Sequence, residues 1–178
     1  MSSTNEYLQL LTYKITDELV ISTIAGISME WRQLKHRDGN LYGVYMTGAT
    51  SFALGLAVAL PHRRVISLDG DGSMLMGLTI LPVIAQQNPS NLIVIVFDNE
   101  LYAAAGRVPS FTAGTTNLVR IAQGAGIKNA RLVRQLSEFQ EAIDEAFHAD
   151  GTSFITVKVE VPSKPRPVSY THLTLPTN

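Results

Sequence analysis

Residues 64–75, RVISLDGDGSML, decide the fold expected for this chain of 178 residues. An apolar, β-branched run leads into a turn in which Asp71 stands between Gly70 and Gly72. A strand, a glycine turn and a helix start are typical of phosphate sites. Glycine allows the backbone to approach closely, and the first N–H groups of a helix point at the anion. The carboxylate of Asp71 needs a separate explanation, because it would repel a phosphate.

Strand-like and helix-like segments alternate along the rest of the chain. Residues 64–69 and 91–97 are continuous β-branched runs, which are typical of strands covered on both faces of a parallel sheet. Further strands are expected at residues 18–23 and 153–161, and helices at 50–60, from about Thr79, at 115–127 and at 137–149. The alternation predicts an α/β fold, a three-layer α/β/α sandwich with a mainly parallel sheet.

The helix at 137–149 has the clearest local signals. Ser137 and Gln140 have the spacing of a capping box, which predicts a helix start at Ser137. Phe139, Ile143 and Phe147 recur every four residues and predict one buried face.

Composition excludes several classes of protein. The 14 Lys and Arg residues nearly balance the 15 Asp and Glu residues. The sequence contains no basic stripe of the kind that a nucleic-acid surface needs. The absence of cysteine excludes disulfides and thiolate metal sites. The N-terminus lacks the pattern of a secretory signal, and the apolar strand at 91–97 is too short to span a bilayer. We therefore expect a cytoplasmic protein without membrane association.

One domain is expected over residues 1–166. Residues 162–167, PSKPRP, have the composition of a linker. Residues 168–178, VSYTHLTLPTN, resemble the translation of a sequencing adapter, so residues 167–178 are predicted to be a non-native tail.

Asp71 has a natural role if a divalent cation lies between its carboxylate and a diphosphate. Mg²⁺ prefers oxygen ligands and is commonly held by one or two protein groups together with substrate phosphates. Asn99 follows the strand at 91–97 and lies 28 positions after Asp71, a distance that fits one crossover between parallel strands. Both residues would then lie at the carboxyl edge of the sheet. An ordinary Asp-Gly turn and a strand-end Asn cap remain alternatives at this point.

A nicotinamide-binding fingerprint is excluded by spacing. After Gly70 and Gly72 the next glycine is Gly77, which is not the G-x-G-x-x-G pattern.

The GDG at 70–72, followed after 26 residues by Asn99, resembles the signature of thiamine-diphosphate enzymes. The similarity extends over roughly residues 15–160. It is carried by the stretches DELVISTIAGIS, FALGLAVALPHRRVISLDGDGSMLM, NPSNLIVIVFDNELY and IAQGAGI. These stretches are similar to the diphosphate-binding subunit of sulfopyruvate decarboxylases and to the corresponding domain of phosphonopyruvate decarboxylases.

The resemblance implies roles for individual residues. Asp71, the Asn99 side chain and the Leu101 carbonyl would bind Mg²⁺. The diphosphate of thiamine diphosphate would lie on the turn that contains Gly70, with Gly72 and Ser73 as hydrogen-bond donors. Three further residues would surround the cofactor: Tyr102 in a closing loop, Met46 as the apolar support of the bent cofactor, and Gly26 in a turn beyond the diphosphate.

The resemblance also implies that the active site is completed elsewhere. In this family a glutamate on a separate pyrimidine-binding domain activates the cofactor, and the matched region already occupies almost the whole chain. We therefore expect a lyase subunit that decarboxylates a small 2-oxoacid together with a pyrimidine-domain subunit, and that also self-associates.

Two stretches depart from the family pattern. Residues 44–47, VYMT, replace a Gly-Ser-Met-Gly sequence, and residues 100–108, ELYAAAGRV, replace a more polar loop. These departures favour a second hypothesis, a non-catalytic subunit that binds cofactor for assembly or regulation. A phosphonopyruvate decarboxylase is a further alternative.

Overall fold

Six parallel strands form the centre of the molecule in a computed structural model, which describes residues 2–103 and 106–161. In chain order, the strands of the main sheet and of a smaller pair are β1 (Leu19–Thr23), β2 (Asn40–Val44), β3 (Val65–Gly70), β4 (Leu92–Asp98), β5 (Leu101–Tyr102), β6 (Val108–Pro109), β7 (Asn129–Val133) and β8 (Ser153–Lys158). The main sheet has the order β2-β1-β3-β4-β8-β7, and β5 and β6 form a separate antiparallel pair. The tail predicted over 167–178 lies outside the described residues.

Helices cover both faces of this sheet. They are α1 (Thr4–Thr12), α2 (Gly26–Leu34), α3 (Gly48–Ala59), α4 (Asp71–Met76), α5 (Ile80–Gln87), α6 (Leu118–Gly124) and α7 (Leu136–Ala146), with a 3₁₀ turn at Phe111–Ala113. One core contains side chains of α1, α2 and α7, and the other contains side chains of α3 to α6. The expected three-layer α/β/α sandwich is confirmed.

The central position of β4 in the sheet explains why its sequence is a continuous apolar run. All seven of its residues are buried, because β3 and β8 flank it and helices cover it on both faces. Its side chains alternate between the two cores: Ile93, Ile95 and Phe97 face the first, and Leu92, Val94 and Val96 face the second.

The strand order contains a switch point between β1 and β3. From β1 the chain crosses through α2 to β2 on one side, whereas β3 is followed by β4 on the other side. In open α/β sheets, ligands bind outside the carboxyl ends of the strands at such a point. Asp71 follows directly after β3 and therefore lies at this position.

The predicted short turn after the GDG, followed by a helix, is confirmed. The turn is the six-residue helix α4, and α5 begins at Ile80. Pro82 lies in the first turn of α5, where its missing N–H needs no helical acceptor.

The predicted capping box of α7 was wrong. The N-cap is Gln135 and its partner is Glu138, so Ser137 already lies inside the helix. The Glu138 carboxylate accepts the N–H groups of both Arg134, at 2.7 Å, and Gln135, at 3.2 Å. Glu138 thus supplies the acceptor for the N-cap N–H, and the helix begins one residue before Ser137.

The described part of the chain contains no helix with the length and apolar character needed to cross a bilayer.

Truncation of Ile95 to alanine tests the central position of β4. Ile95 is fully buried and pairs with Leu68 of β3 and Ile155 of β8. Because the change leaves a cavity between covered strands, we expect the free energy of unfolding to fall by about 2–5 kcal/mol. Urea denaturation measures this loss. Val83→Ala, at an exposed position of α5, is the control and should change stability by about 0.5 kcal/mol or less. Equal losses of stability in the two variants would contradict the burial of Ile95 at the centre of the sheet.

Candidate functional site

Four turns converge at the carboxyl edge of the sheet because β2, β1, β3 and β4 are consecutive neighbours. Gly26 begins α2 after β1, and Met46 lies in the turn after β2. The turn at 70–73 follows β3, and Asn99 follows β4. The structure thus brings the residues selected from the sequence to one edge.

The backbone of this edge is held in uncommon conformations. Five non-glycine residues of the described chain have positive φ, and four of them lie in these turns or in the loop after β4. They are Ala25 and Thr47, each at 74°, and Glu100 and Arg107, each at 59°. Such conformations cost free energy and persist where the surroundings fix them, which is common at functional sites.

Asp71 is a buried carboxylate, only 3% exposed, at the first position of α4. Its Oδ2 atom accepts hydrogen bonds from Ser110 Oγ at 2.5 Å and from Thr112 Oγ1 at 3.1 Å. Burial raises the pKa of Asp71, the Ser110 hydrogen bond lowers it, and the nearby Asp98 carboxylate raises it further, so that the pKa lies above its ordinary value. The negative charge of this group is therefore costly without a cation.

A second carboxylate, Asp98, lies beside Asp71 and has its own cation. The Lys158 ammonium is 2.8 Å from Oδ2 of Asp98 and 2.5 Å from Oε1 of Glu100. Burial by itself lowers the pKa of Lys158, but its contacts with Asp98 and Glu100 outweigh this and raise the pKa overall. The Lys158 ammonium is thus shared by Asp98 and Glu100.

Asn99 lies at the start of the loop after β4. Its Oδ1 atom accepts the N–H of Leu101 at 3.0 Å, which is the local bond expected of a strand-end Asn. Leu101 and Tyr102 form β5, which pairs with Pro109 and Val108 of β6. The loop thus returns to the site as a short hairpin.

The ring of Tyr102 packs against Gly72. A Cβ atom added at Gly72 would lie 2.5 Å from Cε1 and 2.6 Å from Cδ1 of Tyr102. Any side chain at position 72 would therefore displace the tyrosine. The sequence-based expectation that Tyr102 lies over the diphosphate turn agrees with this contact, although its role toward a cofactor stays a prediction.

The hydroxyl of Ser73 links two turns of the edge. Ser73 Oγ accepts the N–H of Thr47 at 2.9 Å and a hydrogen bond from Thr23 Oγ1 at 3.4 Å. These contacts hold the turn that carries Met46 against the start of α4. In this arrangement the hydroxyl is engaged inside the protein, and the backbone N–H of Ser73 lies in the first turn of the helix, where donors lack helical partners.

Asp69, near the end of β3, forms hydrogen bonds within the same region. This residue of β3 is 1% exposed and accepts hydrogen bonds from Thr50 Oγ1 and from the N–H of Gly70, each at 2.9 Å. Burial raises the pKa of Asp69 against the lowering effect of hydrogen bonds, including one from Ser73. Asp69 is a buried group that the sequence-based selection missed.

Ser110, Thr112, Asp98 and Lys158 were missed as well. Ser110 and Thr112 lie 39 and 41 positions after Asp71, with no recognisable motif between them. A lysine at the end of a buried strand was a usable signal, because Lys158 lies between Val157 and Val159 and a buried ammonium needs an anionic partner.

The available donors suit a hard divalent cation. Among residues 2–103 and 106–161, no group of three or more His, Cys, Asp or Glu side chains is placed to hold a metal. Mg²⁺ does not need such a group, because it commonly combines one or two protein oxygens with phosphate oxygens and water. The Asp71 carboxylate, the Asn99 amide oxygen and the Leu101 carbonyl are all oxygen donors.

Comparison with known proteins adds independent information. The family described as "Thiamine pyrophosphate enzyme, C-terminal TPP binding domain" matches residues 31–157. Sulfopyruvate decarboxylase subunit beta of Methanocaldococcus jannaschii is 35% identical over 142 residues, which cover 79% of this chain and 74% of that protein. Phosphonopyruvate decarboxylase of Streptomyces viridochromogenes is 30% identical over 152 residues, covering 85% of this chain and 38% of that protein.

Solved structures share the fold. The crystal structure of benzoylformate decarboxylase from Polynucleobacter necessarius superposes with a TM-score of 0.73 at 22% identity. The match covers 90% of this chain but only 34% of that one, so this chain spans about a third of the length of that decarboxylase.

The contact between Gly72 and Tyr102 gives a testable coupling. We expect Gly72→Ala to lower the free energy of unfolding by about 1–3 kcal/mol, because the new methyl group clashes with the ring. In a Tyr102→Ala background the same change should have little effect, since the ring is gone. A double-mutant cycle in urea denaturation measures the difference. The same loss in both backgrounds would show that the ring does not pack on position 72.

Proposed function

Because this chain belongs to the thiamine pyrophosphate enzymes, through their C-terminal TPP binding domain, we propose that it holds the cofactor diphosphate through Mg²⁺ at the carboxyl edge of its sheet. The buried Asp71 carboxylate is the observation that carries this proposal. Its charge is unfavourable as it stands, and a cation between it and a diphosphate would stabilise both.

Mg²⁺ would be bound by Asp71, by the Asn99 side chain and by the carbonyl of Leu101. The formal charge of the surrounding cluster supports this assignment, because Lys158 already pairs with Asp98 and Glu100 rather than with Asp71. All three proposed ligands supply oxygen, the donor that Mg²⁺ prefers.

The diphosphate would lie on the turn at 70–73, bound by the backbone N–H groups of Gly72 and Ser73. The close approach of Tyr102 to Gly72 supports a site closed by the loop after β4. Met46 would support the bent cofactor, and the Ser73–Thr47 hydrogen bond would keep its turn in place. Gly26 would line the far side of the diphosphate.

The proposed activity is decarboxylation of a small 2-oxoacid, in the manner of a sulfopyruvate decarboxylase subunit. The beta subunit of the Methanocaldococcus protein is matched over most of its length. When bound, thiamine diphosphate supplies the nucleophilic carbon and the electron sink for this reaction. The residues of this chain would bind and orient the diphosphate end of the cofactor, and Tyr102 would limit access of water to it.

A pyrimidine-domain subunit would complete the site. The carboxyl edge supports an interface, because large apolar side chains are exposed there, including Tyr45 and Phe111 at 72% each. Ile24 and Val108 are exposed beside them. Relatives named as beta subunits are matched over most of their own length, which supports a division of the active site between two polypeptides. Self-association is part of the same proposal.

A second candidate function is a subunit that binds the cofactor without catalysis. The departures at residues 44–47 and in the loop after Asn99 favour it, because that loop has alanines where the family has polar groups. Residues 104–105 of the loop lie outside the described part of the chain. A phosphonopyruvate decarboxylase remains a further alternative for the substrate.

Calorimetric titration of thiamine diphosphate tests the proposed site. We expect binding with Mg²⁺, loss of binding with a chelator, and loss of binding in Asp71→Ala. Asp150→Ala, at an exposed turn, is the matched control and should bind like the wild type. Equal binding with and without Mg²⁺ would contradict the bridging cation.

A decarboxylation assay tests the division of the active site. The purified chain should convert 2-oxoacids such as sulfopyruvate at no more than the background rate, because the activating glutamate is expected on the partner. Turnover should appear on adding a pyrimidine-domain subunit. Robust turnover by the verified single subunit would overturn the two-polypeptide proposal.

A further inference from the structure

Two hydroxyl groups converge on the carboxylate proposed to bind Mg²⁺. We infer that Ser110 and Thr112 are positioning residues for Asp71: they hold its Oδ2 atom so that the other oxygen, Oδ1, is directed to the cation. The inference rests on the proposed function. It assigns roles to residues that neither the sequence motif nor the comparisons identify.

The three side chains form a closed, buried cluster. Asp71, Ser110 and Thr112 are each exposed by 5% or less. Ser110 Oγ and Thr112 Oγ1 are 2.8 Å apart, and both lie within hydrogen-bond distance of Oδ2 of Asp71. Rotation of the Asp71 carboxylate would break the short bond from Ser110 and the closer packing against Thr112, which restricts the direction of Oδ1.

The two hydroxyls differ in their tasks. Thr112 has one hydroxyl hydrogen and lies 2.7 Å from Oδ1 of Asp98 but 3.1 Å from Asp71. Its proton is therefore directed mainly to Asp98. Ser110, at 2.5 Å, is the principal donor to Asp71. Thr112 ties this pair to Asp98, which the Lys158 ammonium in turn anchors.

The position of the hydroxyls along the chain gives the cluster a further property. Ser110 and Thr112 follow β6, at the far end of the loop that begins with Asn99. The N–H of Ser110 donates to the carbonyl of Glu100 at 3.0 Å, which closes the loop. The loop thus carries two proposed cation ligands, Asn99 and Leu101, at its start. At its end it carries the two hydroxyls that contact the third proposed ligand, Asp71.

Removal of each hydroxyl tests this role. We expect Ser110→Ala to weaken Mg²⁺ affinity about 10–100-fold in calorimetric titrations at saturating thiamine diphosphate, because groups that orient a metal ligand typically have effects of this size. Thr112→Val, which keeps the shape, should weaken affinity less, because Thr112 is the more distant donor to Asp71. Ser110→Thr restores the hydroxyl and should recover most of the loss.

A second readout separates positioning from a structural effect. In Ser110→Ala, apparent affinity for thiamine diphosphate should fall at limiting Mg²⁺ and return when Mg²⁺ is raised about 100-fold, since the defect lies in the cation ligand. A damaged fold would not recover in this way. Ser137→Ala, an exposed hydroxyl in α7, is the matched control and should behave like the wild type.

The outcomes are distinct. Wild-type Mg²⁺ affinity in both Ser110→Ala and Thr112→Val would overturn the positioning role while leaving the proposed function intact. A loss that Mg²⁺ does not restore would overturn it as well. Absence of Mg²⁺-dependent binding in the wild-type chain would instead overturn the proposed function, and this inference with it.

Discussion

The burial of the Asp71 carboxylate is the constraint on which the rest of the site depends. A carboxylate removed from water needs hydrogen bonds or a cation, and here the hydroxyls of Ser110 and Thr112 supply only part of that stabilisation. The Lys158 ammonium is bound to Asp98 and Glu100. In the proposed function, a divalent cation would balance the negative charge that Asp71 carries at the end of β3.

The buried strands of the sheet hold this arrangement in place. The strands β3 and β4 are mainly apolar and buried, and they fix the positions of Asp71 and Asn99 at their carboxyl ends. Before these ends, the buried polar side chains of the two strands are Ser67 and Asp69. The turns that follow β1, β2 and β4 at this edge carry the strained residues Ala25, Thr47 and Glu100. A rigid apolar base thus supports an edge whose backbone conformation is unfavourable but well determined.

The buried strands β3 and β4 could be predicted from the sequence to within about a residue, since both are unbroken β-branched runs. The edge strands β2 and β7 were missed because they are partly exposed and include polar residues and glycine. The helix α1 had a usable signal, the capping box of Ser3 and Glu6. Within the site, Asp71 and Asn99 follow from motif spacing. Ser110, Thr112 and Lys158 do not, because loop closure and strand pairing bring them in from distant positions.

The position of β8 has a consequence for synthesis on the ribosome. Among the strands of residues 2–103 and 106–161, β8 is translated last, yet it lies between β4 and β7 and carries the lysine that anchors Asp98. Until it emerges, the nascent chain exposes an unpaired apolar edge along β4, which is a site for association with other chains. Termination before Ser153 would therefore remove both the protection of the β4 edge and the ammonium that anchors Asp98.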